Sequence, residues 1–207
     1  MNLATVNTKS QKVRRISPLK NYIVGQIDNN QNIKRLCRYL TQTPLMSQGL
    51  TYDNKRLKQP DLKDSLLESV VEDVQASVSK AVLIPYSFTE EILEEQQVTI
   101  YVHCPKSYLN RVTGSHLFLV EIVFPRIYDM IEPYGEERNL LIASEIFDMF
   151  DEQRVSDDLK KLVGEVEFKI NRDMTTLRLG KAGYLITTIQ IEADVMTPRI
   201  SVDSMTR

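Results

Sequence analysis

Between Val98 and Val195 the hydrophobic period switches from two to helical and back to two, and this limits what the chain can become. Val98, Ile100 and Val102 alternate with Thr99, Tyr101 and His103, the pattern of a half-buried strand ended by Pro105. Leu117, Leu119, Ile122 and Phe124 make a second strand ended by Pro125. Asn110, Gly114 and Ser115 place a hairpin loop over 106–115, which predicts antiparallel pairing. Leu140, Ala143, Ile146, Phe147 and Phe150 then recur at helical spacing, and Leu141 and Ile142 widen the stripe. Glu136 and Glu137 suit the first turn, where the helix dipole favours negative charge. Val166, Phe168 and Ile170 give a third strand, and Leu185, Thr187, Ile189, Ile191, Ala193 and Val195 a long fourth. A helix between two strand pairs predicts an α+β fold: an antiparallel four-stranded sheet with a helix packed on one face.

The N-terminal third reads differently. Residues 1–27 are polar and basic, hold Pro18 and show no sustained period, so an extended arm is expected. Residues 28–79 are expected to be helical. Asn29 or Asn30 can cap a first helix, whose Ile33, Leu36, Cys37 and Leu40 follow helical spacing up to Pro44. Arg35 and Arg38 are expected on its solvated side. A loop over 44–62 carries Lys55, Arg56 and Lys58, with Lys63 just beyond. Asp61 or Asp64 then opens a second helical pattern through Leu66, Leu67, Val70, Val71, Val74 and Val78. A short strand is expected over 81–84. The core domain spans 80–197, and 198–207 reads as a C-terminal tail.

The formal net charge is −2, which provides no general basic field for nucleic acid. Lys9, Lys12, Arg14 and Arg15 form a basic stretch, but no apolar run follows to make a secretory signal. No segment approaches the roughly 20 apolar residues that cross a bilayer, so no membrane partner is expected. The two cysteines, Cys37 and Cys104, do not make a disulfide framework. They are read as buried free thiols, in keeping with synthesis in a reducing cytoplasm.

Candidate chemistry is sparse. His103 and Cys104 are adjacent, so a strand points them to opposite faces, and only His116 remains as a further histidine; no metal site is expected. A Cys104–His116 nucleophile would need an orienting partner that the sequence does not announce. Gly180 and Gly183 lack the Gly-Lys-Ser/Thr of a phosphate loop. The sharpest enzymatic pattern is Glu167-Phe168-Lys169, an acid-x-Lys pair of the kind that metal-dependent nucleases use, with Asp61 as a distant upstream acid. Alternating Glu and Lys on the outer face of a strand satisfies solubility equally well. No enzyme activity and no cofactor are expected. Two charged clusters suit contacts between subunits instead. Arg172, Arg178 and Lys181 lie in a connection over 171–183, and Asp148, Asp151 and Glu152 lie at the end of the main helix, close before Asp157 and Asp158.

Three segments carry a resemblance. The helix Glu137-Arg138-Asn139-Leu140-Leu141-Ile142-Ala143-Ser144-Glu145-Ile146-Phe147, the strand Gly164-Glu165-Val166-Glu167-Phe168 and the final Gly183-Tyr184-Leu185-Ile186-Thr187-Thr188-Ile189 follow a strand–strand–helix–strand–strand order. That order, over residues 80–197, resembles the neck proteins of tailed bacteriophages, the tail-terminator and tail-completion type. The resemblance implies a virion structural protein, made in the host cytoplasm, that forms a homo-oligomeric ring such as a hexamer at the head–tail junction. Its partners would be further copies of itself and the connector, portal or tail-tube proteins, with DNA passing through the lumen unread. The alternatives are a metal-dependent nuclease, or an adaptor that binds a protein through its basic loop.

Overall fold

The computed structural model describes residues 3–38, 62–67, 70–71, 78–79, 82–87, 98–109, 113–126, 130–131, 136–151, 155, 157–170, 176–179 and 184–196. Period-two sequence builds the centre of the molecule. Strand β4 (Thr99–Leu109) runs antiparallel to β5 (Thr113–Pro125), with Ile100 opposite Ile122 and Val102 opposite Val120. The last strand, β10 (Tyr184–Met196), lies beside β5 along its whole length, from Tyr184 opposite Pro125 to Met196 opposite Thr113. Its other edge takes β8 (Glu165–Ile170) and β9 (Thr176–Leu179), both antiparallel. A two-residue strand, β3 (Leu83–Ile84), adds to β4 in parallel. The fold is mixed α/β around one open, mostly antiparallel sheet in the order β3-β4-β5-β10-β8, with β9 also on β10.

The four expected strands are all present, and β3 and β9 extend the sheet beyond them. Two expected connections are shorter than the sequence suggested. Strand β4 continues through Pro105 because its register shifts between His103 and Lys106. A bulge accommodates a residue that has no N–H to give. Of the expected loop over 171–183, residues 176–179 are strand β9, with Arg178 opposite Ile186.

Four helices among the described residues accompany the sheet. Helix α3 (Arg138–Phe150) and helix α4 (Asp157–Val163) lie between β5 and β8 in the chain. Helix α4 carries Asp157 and Asp158 in its first turn and Lys160 and Lys161 in its last, matched to its dipole at both ends. Asp157 and Asp158 therefore start a helix of their own instead of extending the acidic end of α3. Gly164 follows α4 at φ 99, where its N–H reaches the Lys160 carbonyl at 2.9 Å and a side chain would be strained.

The expected extended arm is wrong: residues 3–29 form helix α1 (Leu3–Asn29). Leu19, Ile23 and Ile27 repeat every four residues and are fully buried, with Val24 beside them. Each such burial stabilises by about 1.5–3 kcal/mol, which together outweighs the cost of roughly 3 kcal/mol for Pro18 inside the helix. Helix α2 (Gln31–Arg38) follows at once, and Asn30 caps it by accepting the Ile33 N–H at 3.0 Å. The expected second helix is not found among the described residues of 62–79. Residues 62–67 are loop and turn, and β1 (Val70–Val71) pairs antiparallel with β2 (Val78–Ser79). Paired β-branched residues favour this extended state. A further short pair, β6 (Met130–Ile131) with β7 (Glu136–Glu137), precedes α3. The loop over 44–61 and the tail over 198–207 lie outside the described residues.

One core cluster draws buried residues from the described helices and from the sheet. Leu19 and Ile23 of α1, Ile33 and Leu36 of α2, Ile142, Ile146 and Phe150 of α3 and Leu159 of α4 share it with Val120, Ile122, Phe168, Ile189 and Ile191. Phe168 is its aromatic centre: Tyr22 stacks on it at 5.7 Å and Phe150 meets it edge-on at 5.5 Å.

Candidate functional site

The opposite face of the sheet has two unlike ends. At one end Tyr101, Val123, Tyr184 and Ile186 form a separate buried cluster. At the other, strand registry sets out rows of polar residues. Tyr108, Ser115, Asp194 and Glu167 make one row across β4, β5, β10 and β8. Lys106, Leu117, Glu192 and Lys169 make the next. Glu167, Lys169 and Glu192 are exposed, because alternation sends their neighbours Val166, Phe168 and Ala193 inward.

The acid-x-Lys pair lies within these rows. The Lys169 ammonium donates to Asp194 at 3.0 Å and contacts Glu167 at 3.2 Å. Those two hydrogen bonds and their charges raise the Lys169 pKa. Asp194 is the partner that the sequence reading missed, and its alternation with Glu192 on the last strand was the available signal. A divalent ion here would have to displace an ammonium already held between the two carboxylates. Among the described residues, no group of three acids, histidines or cysteines is arranged to hold a metal. Asp61 lies outside the described residues.

The Cys104–His116 nucleophile is not assembled. The Cys104 thiol donates to the Lys106 carbonyl at 3.2 Å, whereas His116 Nδ1 hydrogen-bonds with the Ser107 hydroxyl at 2.9 Å. Burial raises the Cys104 pKa, with smaller opposing effects from the Lys106 contact and Lys20, which is the wrong direction for an activated thiolate. His103 instead faces Glu121 across the β4–β5 ladder, at 3.7 Å. Cys37 is buried in α2, and desolvation pushes its thiol up to about 12 despite the nearby Arg138 and Arg38 charges.

The basic face of α2 is not solvated as expected. Lys34 and Arg35 are buried. Lys34 donates to the Asp64 carbonyl at 2.6 Å, and Arg38 donates to the Ser65 carbonyl at 3.0 Å and pairs with Asp64 at 3.2 Å. Gln31 bonds both backbone groups of Leu62, and Asp28 accepts from the Leu66 N–H at 2.6 Å and the Ser65 hydroxyl at 2.9 Å. These charged side chains fasten the 62–66 segment to the α1–α2 elbow, so their role is structural. Arg138, 1% exposed, likewise gives its guanidinium to the Leu36 carbonyl, one of the last carbonyls of α2. Glu145 of α3 accepts from Asn30 at 2.8 Å and Asn32 at 2.7 Å, which puts a carboxylate at the N-terminus of α2.

Of the residues expected to join subunits, Asp148 is exposed near the end of α3 and Asp151 is its C-cap, its N–H bonded to the Phe147 carbonyl at 2.8 Å. Arg178 holds its register position on β9. Arg172, Lys181 and Glu152 lie outside the described residues. No helix among the described residues is long and apolar enough to cross a membrane. No family model matches the chain, and no curated protein matches it.

Proposed function

We propose that the chain is a non-enzymatic structural protein of the tailed-phage virion, forming a ring in the neck, of the tail-terminator or head-completion type. The supporting observation is the order of elements. Strands β4 and β5, helix α3, then β8 and the 13-residue β10 follow the element order on which the resemblance rests, and the long last strand lies between β5 and β8. In this reading α3 lies across one face of the four principal strands. The basic connection with Arg172, Arg178 and Lys181 meets Asp148, Asp151 and Glu152 of the next copy. Its partners are its own copies and the adjoining connector, portal or tail-tube proteins, and DNA passes through the lumen without being read.

Co-sedimentation of the purified chain with tail tubes and with portal assemblies tests the reading. Binding to either, in a fixed ratio of copies, supports it. A chain that binds neither contradicts it. The second reading, a metal-dependent nuclease, would have to free Glu167 and Asp194 from the ammonium of Lys169 that joins them. Magnesium-dependent DNA cleavage that disappears in Glu167→Ala would establish that reading instead.

A further inference from the structure

We draw no further inference here: the strongest candidate, the outward edge of strand β8 at the end of the sheet, carries no proposal, because Glu167 and Lys169 along it are already paired with each other, Lys169 also holds Asp194, and nothing in the structure shows what covers that edge.

Discussion

Replacing Phe168 with alanine tests whether α1, the helix that the sequence did not announce, is integral to the core. Phe168 is 2% exposed, with Tyr22 of α1 stacked on one side and Phe150 of α3 edge-on at the other. A buried Phe→Ala change costs about 3–5 kcal/mol in lost transfer energy and residual cavity. Each aromatic pair contributes about 0.5–1.5 kcal/mol of specific geometry within that loss. A total of about 4 kcal/mol is a large part of the roughly 5–15 kcal/mol that holds a domain folded. With a urea slope of about 2.5 kcal/mol/M, the midpoint falls by roughly 1.5 M. The assay is urea unfolding of the full chain at one fixed concentration, followed by circular dichroism. Leu162→Ala is the control, because this side chain is 70% exposed and its loss costs within about 0.5 kcal/mol. A double-mutant cycle with Tyr22→Ala is expected to show about 1 kcal/mol of coupling. A midpoint shift below about 0.4 M, or no coupling to Tyr22, would refute the docking of α1 on the sheet.

Three further outcomes follow from the same contacts. Arg138→Ala removes a charged donor from the Leu36 carbonyl and is expected to lower stability by about 2–3 kcal/mol, read as a fall of several degrees in Tm. Glu145→Ala frees the Asn30 and Asn32 amides and removes a carboxylate from the N-terminus of α2, at a cost of about 1 kcal/mol in the same thermal assay. Cys37 keeps its proton in the folded chain up to about 12, whereas the unfolded thiol releases it near the ordinary 9.0. Its stabilisation is therefore full below pH 9 and is lost as pH rises towards 12; Cys37→Ala should flatten that part of the stability–pH curve, and thiol labelling at neutral pH should modify Cys104 before Cys37.

The sequence was legible where one side of an element met one solvent. Strands β4, β5, β8 and β10 declared themselves by strict alternation, and α3 by its stripe. Pro18 conceals helix α1 in the sequence, because the four-residue spacing of Leu19, Ile23 and Ile27 begins only beyond it. Arg35 and Arg38 depart from their expected solvated side because a charge on a helix usually meets water; here the carbonyls of Asp64 and Ser65 draw Lys34 and Arg38 inward. At Val70, Val71 and Val78 the helical spacing misleads in the opposite way, and β-branched chemistry shows in the pairing of β1 with β2. At the acid-x-Lys pair the residues were found but Asp194 was not. Cross-strand neighbours 25 positions apart are set by register, which a single sequence does not print.

Mass photometry of the purified wild-type chain tests the proposed self-assembly most directly. The expected result is one discrete multiple of the chain mass, dispersed by salt and stable on dilution at low ionic strength. A single monomer peak at every concentration and ionic strength would contradict the ring.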